Sequence, residues 1–475
     1  MKTRIISFIL FFFTVQIWGG CRKLIEIEPP TNTITTDKVF EEDEQAKSAM
    51  AGLYYNMVNT AGWISGTDLV KYTGLSSDEL VPFNMTDPEI VSYFNNELRP
   101  DNGSIRSLWK NTYSMIYVCN AMIENLESAS SGVSLHIKQR LIAEAKFVRA
   151  FSYFNLVNLF GPLPLVLTTN WQKSNLLPRS SAETIYTAII SDLMESTNHL
   201  PDNFEASSGE RILPTRWAAS ALLLKVYVYT QKWSEAISTA NALLNDNPLF
   251  KLEPLDNVFG IKSGEAIWQL KQEPLSTNQF PSPYGTLFLP STRNSTIAPG
   301  FYLPEDFQKI FASDDERGLK WVTTTKYTPT GSTYLVPYKY KTGRGTAYTS
   351  SQYGEYHTLL RLAEVYLLRS EARLNANDLS GSRADLDVIR QRAGLIALPS
   401  ILSYDQLKDS LMLERQRELF CEFGNRWMDL KRWHKSTEVL SLKTGVIWQQ
   451  TDTLYPIPVQ EIITNPNAYQ NPGYN

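Results

Sequence analysis

The sequence predicts an all-α protein in which antiparallel helices pack in pairs. Between residues 356 and 435, apolar side chains recur at three- and four-residue spacing, which gives each predicted helix one face for a core. The segments 215–230 and 233–245 are joined by two residues and carry small alanines, a pattern that resembles a tetratricopeptide hairpin. From 247 to 354 this helical period disappears, and short strand-like pieces occur at 266–271 and 334–340. We therefore expect a helical frame that carries a long, mostly irregular insertion.

The N-terminus has the pattern of a bacterial lipoprotein signal. Residues 1–20 contain a basic start, an apolar run and two glycines directly before Cys21. The apolar run is too short to span a bilayer comfortably. The pattern predicts cleavage before Cys21 and acylation of its sulfur and new amine, with residues 21–36 as a polar tether. An ordinary secretory signal with an incidental cysteine is the alternative.

Composition indicates a large exported globular protein. Its 475 residues can bury a sizeable core and form more than one subdomain. The chain has 45 basic and 49 acidic residues, a formal charge of −4, and no basic domain, which argues against nucleic-acid binding. After the N-terminus, no apolar run reaches membrane-spanning length. Cys119 and Cys421 lie among apolar neighbours on predicted helices, so we expect two buried thiols without a disulfide.

The N-terminal half contains four long predicted helices, at 37–59, 104–127, 135–160 and 182–200. Acidic residues open the first helix, where the helix dipole favours negative charge. The pair Gly161–Pro162 ends the third. The stretch 61–103 lacks a helical period and is rich in polar and aromatic residues. Across the whole chain we expect up to four helix pairs, namely 37–59 with 104–127, 135–160 with 182–200, 215–230 with 233–245, and 356–376 with 382–394.

Three helices are predicted in the segment that opens the C-terminal region. The first covers 356–376 and ends at two asparagines. Ser382, with an acid three residues later, predicts the cap of the second, and Gly394 predicts its left-handed terminator. Ser403 with Gln406 predicts a capping box for the third helix, which we expect to run to the glycine at 424.

No catalytic motif is present in the sequence. The patterns G-x-S-x-G and H-E-x-x-H and a lysine-bearing phosphate loop are all missing, and Gly343-Arg-Gly345-Thr lacks the required lysine. The four histidines lie in different segments without metal-ligand spacing, so we predict neither a metal site nor a cofactor. A pair of carboxylates for glycoside hydrolysis needs no fixed spacing, which keeps a surface glycosidase open as an alternative.

Aromatic side chains in the irregular segments suggest a binding surface. Sugars pack their C–H faces on aromatic rings, and their hydroxyls seek polar side chains. The first candidate cluster is Trp63, Asp68, Tyr72, Asp78, Phe83, Asn84, Tyr93 and Asn96. The second is Tyr284, Phe288, Arg293, Tyr302, Trp321 and Tyr334. For each ring the alternative is a packing contact that fixes a loop over the core.

Several stretches resemble the SusD/RagB family, the lipid-anchored nutrient-binding subunits of outer-membrane uptake systems. ERQRELFCEFGNRWMDLKRWHK resembles the family's acidic-arginine helix, its FEG-like turn and its "RWxDLxRW" segment. KFVRAFSYFNLVNLFGPLPLV and LRLAEVYLLRSEARLN are similar to its scaffold helices. YPIPVQEIITNPNAYQNPGYN resembles its C-terminal tail. These matches occur in the family's order along nearly the whole mature chain.

This resemblance implies a right-handed, tetratricopeptide-like scaffold at 37–246, an irregular insertion with the ligand surface at 247–354, and a C-terminal SusD/RagB region at 355–475. It implies a lipid-anchored outer-membrane protein, which we expect to face the cell surface. The implied partner is a SusC-like TonB-dependent transporter. The implied ligand is an oligosaccharide or polysaccharide, starch-like or other, and a RagB-like peptide or glycopeptide cargo is the alternative. No covalent chemistry is expected.

The charged residues of the C-terminal motif are interpreted as structural. Arginine–carboxylate pairs and ring stacking can lock a helical turn onto a scaffold. A motif shared by proteins with different ligands is better explained by fold than by specificity. This group comprises Arg415, Arg417, Glu418, Arg426, Asp429, Arg432 and Trp433.

Overall fold

The computed structural model describes residues 39–245, 247–273, 281–290, 292–343, 354–443 and 445–474. The predicted signal peptide, Cys21, the tether and most of the Gly343–Thr346 stretch lie outside these ranges. Cys119 and Cys421 are buried free thiols, as predicted. Among the described residues, no helix combines the length and apolar character needed to cross a membrane.

The protein is mainly helical, which confirms the predicted fold class. The helices of the N-terminal half are α1 (Asp43–Asn59), α2 (Thr67–Ser76), α3 (Pro88–Asn95), α4 (Gly103–Glu127), α5 (Leu135–Phe160), α6 (Trp171–Ser174), α7 (Ala182–His199), α8 (Arg216–Tyr229) and α9 (Trp233–Leu244). The later helices are α10 (Pro283–Phe288), α11 (Glu316–Lys320), α12 (Leu362–Asn375), α13 (Leu379–Arg392), α14 (Tyr404–Leu419), α15 (Asn425–Arg432), α16 (Ser436–Leu440) and α17 (Val459–Thr464).

The long helices pack side by side in chain order. Helix α5 contacts α4 and α7, α7 contacts α8, α8 contacts α9, α9 contacts α12, and α12 contacts α13 and α14. Three of the four expected pairs are therefore confirmed. The first expected pair is wrong, because the backbone of α1 lies closer to α5 than to α4. The buried Glu144 carboxylate on α5 draws α1 there, since Tyr54 donates its hydroxyl hydrogen to it at 2.7 Å.

Within the described residues, seven short strands interrupt the helices: β1 (Val81–Pro82), β2 (Ala266–Leu270), β3 (Asn294–Ser295), β4 (Phe301–Tyr302), β5 (Val322–Tyr327), β6 (Ser332–Pro337) and β7 (His357–Arg361). Strand β1 pairs with β4, β2 pairs antiparallel with β7, and β5 lies between β3 and β6. Two strand-like pieces predicted in the insertion, near 266–271 and 334–340, correspond to β2 and β6.

Three local predictions are wrong. Residues 357–361 form strand β7 instead of the start of a helix, because their backbone pairs with β2, about ninety positions earlier. Asp378, not Ser382, caps α13, and the Ser382 hydroxyl instead lies 2.9 Å from that of Ser370 inside the core. The stretch 61–103 contains two helices, α2 and α3, whose short lengths hide their period.

The C-terminal caps follow the sequence closely. Ser403 and Gln406 form the predicted capping box of α14. Gly394 takes a left-handed conformation with φ of 84° directly after α13. Helix α14 ends at Leu419, earlier than predicted, and a tight turn leads into α15. In this turn Cys421 and Phe423 also have positive φ, and the backbone N–H of Cys421 donates to Glu79 at 3.0 Å.

A buried ion-pair network joins the irregular insertion to the C-terminal helices. Glu418 on α14 contacts Arg317, Arg361 and Arg392, and all four side chains are almost fully buried. Arg361 also contacts Glu265 at 2.9 Å next to β2. Buried charges need such partners, because an unpaired one carries a large desolvation cost. The insertion is therefore fixed to the scaffold rather than loosely attached.

Candidate functional site

Half-buried aromatic rings from both predicted clusters meet at the edge of the insertion. Strand β1 pairs with β4, which brings Phe83 next to the strand that carries Tyr302. The rings of Tyr302 and Tyr334 lie 4.8 Å apart, and the edge of Phe83 contacts Tyr334 with ring centres at 5.6 Å. Tyr327 on β5 contacts Phe83 from the other side at 5.3 Å. Phe83 and three tyrosines from much later in the chain thus form one aromatic surface.

Two rings of this surface, Tyr302 and Tyr334, line a cleft of about 770 Å³. Its walls come from six segments: the end of α2 with the chain into β1, the end of α3, strand β4 with the turn after it, the start of β6, the middle of α14, and the end of α16 with the chain after it. The polar and aromatic lining residues are Ser77, Asp78, Phe94, Tyr302, Glu305, Asp306, Phe307, Ser332, Thr333, Tyr334, Gln416 and Lys443. Rings beside hydroxyls, carboxylates and an amide suit a ligand that has both apolar faces and hydrogen-bonding edges.

Asp78 is held at the wall of this cleft by a charged hydrogen-bonded pair. Both of its carboxylate oxygens accept from the Arg426 guanidinium, each at 2.7 Å. Burial opposes ionisation, but the guanidinium outweighs it and lowers the pKa of Asp78 below its usual value. Lys443, at the same wall, donates to the carbonyls of Leu75 and Phe94 at 2.8 Å. Burial lowers its pKa to about 7.

Glu79 lies directly behind Asp78 in the interior. Burial, together with the neighbouring Asp78 charge, raises the pKa of Glu79 to about 8. One of its oxygens accepts from the Cys421 backbone at 3.0 Å, and the other has no hydrogen-bond partner among the described residues. Glu79 is therefore a protonated carboxyl at neutral pH and belongs to the packing behind the cleft.

Six aromatics of the two predicted clusters lie inside the protein, which corrects their predicted role: Trp63, Tyr72, Tyr93, Tyr284, Phe288 and Trp321. Trp321 is fully buried, and its indole N–H donates to the Leu255 carbonyl at 2.9 Å. Trp63 is 8% exposed and belongs to the main hydrophobic core. Tyr72 stacks on the buried Tyr93 at 4.3 Å. Tyr284 packs on Phe288 and on Tyr340 with ring centres at 4.7 and 4.6 Å. A residue without accessible ring area cannot stack on a ligand.

The remaining predicted polar residues lie apart from the cleft. Asp68 accepts from the Gly62 backbone and forms a salt bridge with Lys71, so it fixes the start of α2. Asn84 is exposed and bonds to Thr86 within its own turn. Arg293 is exposed and donates to Thr323 at 3.3 Å on the three-stranded sheet. Asn96, buried, ends α3 in a left-handed conformation.

Tyr327, Glu305, Asp306 and Lys443 were not selected by the sequence predictions. One available signal was the alternation in VTTTKYTPTGSTYLVP, since a turn containing Gly331 between two β-prone runs predicts a hairpin. Such a hairpin places Tyr327 and Tyr334 on the same face. Nothing local marks Lys443, which reaches this wall only through the packing of the chain after α16.

The side chains that line the cleft can stack on a ligand and form hydrogen bonds with it. Among the described residues, no group of three or more histidine, cysteine or acidic side chains is arranged to hold a metal ion. Burial, with the nearby Tyr334 and Glu305, raises the pKa of Tyr302, so its hydroxyl stays neutral and can donate or accept a hydrogen bond. Stacking and hydrogen bonding are the interactions that these side chains supply.

A second, smaller cleft of about 520 Å³ lies on the helical scaffold. It is bordered by α4, the segment around Pro164 and α17, and its rings are Trp109, Tyr113 and Tyr117. Tyr117 is 56% exposed, and burial raises the pKa of Glu461 at the opposite wall. None of the predicted site residues line this cleft, so the first cleft is the stronger candidate.

Comparison with known proteins identifies relatives of both halves of the chain. A family model described as the SusD family matches residues 313–474, and one described as starch-binding associating with outer membrane matches residues 55–228. SusD-like protein P2 of Formosa agariphila is 26% identical over 533 residues, with 100% of each chain covered.

Solved structures share the fold. A SusD superfamily protein from Bacteroides vulgatus ATCC 8482 superposes with a TM-score of 0.76 at 20% identity, and the match covers 91% of this chain and 99% of that one. A laminarin-binding SusD-like protein superposes with a TM-score of 0.73 at 24% identity, covering 92% of this chain and 100% of the other. With its helical frame, its family motifs and its full-length relatives, this chain belongs to the SusD/RagB family.

Proposed function

We propose that this protein binds an oligosaccharide or polysaccharide at the cleft and passes it to a TonB-dependent outer-membrane transporter. A lipid on Cys21 anchors it to the outer membrane, with the folded chain on the cell surface. It acts by binding and delivery, not by catalysis.

The observation that carries this proposal is the pair of half-buried tyrosines at the cleft. Tyr302 and Tyr334 are 4.8 Å apart and tilted by 59°, so their two faces form a concave aromatic corner. A pyranose ring offers an apolar C–H face to such a corner, while its hydroxyls meet the surrounding carboxylates, hydroxyls and amide. The laminarin-binding neighbour, which has the same fold, supports a glycan as the ligand class.

The frame beneath the corner supports a preformed site. Tyr334 lies on the β5–β6 hairpin, in register with Thr325, and Leu303, next to Tyr302, donates from its backbone to Leu335 at 2.8 Å. Strands hold side chains more precisely than loops do, so little conformational entropy is lost when a sugar binds. We expect modest affinity, because stacking and exposed hydrogen bonds each contribute little net free energy in water.

Affinity electrophoresis tests the proposal. The protein without residues 1–21 is run through gels containing single polysaccharides, beside Tyr302→Ala and Tyr334→Ala. We expect retardation by a glycan in the panel and about tenfold weaker binding in each variant, because each loses one stacking face. Tyr404→Ala is the matched control, since this tyrosine is 37% exposed on α14 and does not line the cleft.

Other outcomes identify other sites or ligands. If Tyr117→Ala abolishes retardation and the two cleft variants do not, the second cleft is the glycan site. If no glycan retards the protein and a peptide library binds to it, the cargo is peptide or glycopeptide, the RagB-like alternative. Release of reducing ends from a bound polysaccharide would instead indicate a surface glycosidase.

The anchor and the transporter are tested in cells. Cys21→Ala is expected to remove labelling by a fatty acid and to shift the protein out of the membrane fraction. We expect the wild-type protein to co-purify with a SusC-like transporter that contacts the helical side, where a large surface is available. A Cys21→Ala protein that stays lipid-labelled would contradict the anchor.

A further inference from the structure

The charges that line the cleft are unbalanced. Its walls contain three carboxylates, from Asp78, Glu305 and Asp306, and one ammonium group, from Lys443. A ligand in the cleft meets these groups at close range, where water screens charge less well than in bulk solution. A charged group that is already paired within the protein interacts more weakly with a ligand than an unpaired one.

Two of these four groups are already bonded to other groups of the protein. Asp78 is paired with Arg426 through two hydrogen bonds of 2.7 Å. The Lys443 ammonium points to two backbone carbonyls and is held at 2.8 Å from each. Burial lowers the pKa of Lys443 to about 7, so near neutral pH only part of its population is charged. Both groups are therefore already engaged by atoms of the protein.

Glu305 and Asp306 differ from Asp78 and Lys443 in their exposure and their partners. Both side chains are exposed, and neither takes part in a salt bridge with a described residue. They directly follow β4, so they lie beside the tyrosine corner, and Glu305 is close enough to raise the pKa of Tyr302. The part of the cleft where a sugar ring would stack is therefore bordered by two uncompensated negative charges.

We infer that the cleft selects uncharged glycans and excludes glycans that bear carboxylate or sulfate groups. The inference rests on the proposed function and names its substrate class. Carboxylates accept hydrogen bonds from sugar hydroxyls, whereas an anionic substituent placed beside Glu305 and Asp306 meets like charge. Like-charge contacts at a binding site act mainly on specificity, since they disfavour the wrong ligand more than they strengthen the right one.

A matched pair of ligands tests the inference. The neutral polysaccharide that gives the strongest retardation is compared with its own carboxymethyl derivative, which has the same backbone and added negative charge. We expect the wild-type protein to bind the derivative about tenfold more weakly in about 50 mM NaCl. We expect this difference to shrink in about 500 mM NaCl, because salt screens exposed charges.

The double variant Glu305→Gln, Asp306→Asn is expected to bind the derivative nearly as well as the parent polymer. Glu183→Gln with Glu235→Gln is the control, since it removes two exposed carboxylates of the helical scaffold that do not line the cleft. Equal thermal midpoints of the variants and the wild-type protein show that the fold is intact.

Two results would overturn the inference, and they are distinguishable. If the wild-type protein binds the carboxymethyl polymer as tightly as the parent polymer, or more tightly, the charge selection is wrong and the proposed glycan function stands. If the protein binds neither polymer nor any glycan of the panel, the proposed function fails and the inference fails with it.

Discussion

Arg426 on α15 holds Asp78 at the end of α2 through two hydrogen bonds of 2.7 Å, although 348 positions separate the residues in the chain. Arg426 belongs to the C-terminal motif, and Asp78 lines the candidate cleft. The motif therefore helps to position a wall of the cleft, although the Arg426 guanidinium itself does not line the cleft. This geometry agrees with the structural interpretation of the motif arginines and adds a link to the site.

Arg426→Ala should lower the free energy of unfolding by about 2 kcal/mol, because it leaves a partly buried carboxylate without its partner. Urea unfolding measures this change. Arg99→Ala is the control, since Arg99 forms an exposed pair with Asp101 and should change stability by less than about 0.5 kcal/mol. We expect glycan affinity in the folded fraction to stay within about threefold of wild type, because Arg426 is shielded from ligand. A variant of wild-type stability that has lost its ligand would contradict the structural role.

Glu79→Gln should stabilise the protein at alkaline pH. The pKa of Glu79 is about 8 in the folded state, against an ordinary value of 4.5, mainly because of burial. Between these two values the folded state holds a proton that the unfolded state has released, so this group's contribution to stability falls as pH rises. Glutamine cannot lose a proton, and it keeps an oxygen that can accept from the Cys421 backbone.

The measurement is the thermal midpoint of Glu79→Gln relative to wild type, at about pH 5 and about pH 8.5. We expect the thermal midpoint of the variant, relative to that of wild type, to be higher at the higher pH. The exposed Glu127→Gln should show no such gain. A difference that is equal at both pH values would show that Glu79 is ionised in the folded protein.

Glu418→Gln should destabilise the protein by about 3 kcal/mol at neutral pH, since it weakens contacts with three buried arginines. Burial disfavours the Glu418 carboxylate, but Arg392, Arg361 and Arg317 outweigh this and hold its pKa well below 4.5. The stability that this depressed pKa provides is complete above about pH 4.5 and is lost as pH falls toward the folded-state pKa.

Urea midpoints at about pH 7 and about pH 3.5 test this prediction. The wild-type protein should lose more stability on acidification than Glu418→Gln, because the variant has already lost the titrating group. If the variant loses as much stability on acidification as wild type does, protonation of a group other than Glu418 causes the loss. Glu438→Gln is the control, since Glu438 forms an exposed pair with Lys435.

The sequence alone determined those features that short-range interactions specify. A helix forms through bonds between residues four apart, and its ends depend on caps within a few positions. The capping box at Ser403, the left-handed Gly394 and the helices 104–127 and 135–160 were therefore predicted nearly to the residue. The family motifs, which are also contiguous, identified the fold class.

Only the tertiary structure decided which side chains form the site. Trp321 and Tyr334 both come from the same irregular insertion, yet Trp321 is fully buried in the core beside Arg361 and Arg392, and Tyr334 borders the cleft. The cleft joins segments near residues 78, 94, 303, 333, 416 and 443, and the pairing of β1 with β4 brings two of these distant segments together. Such contacts depend on the packing of the whole chain, and no local pattern encodes them.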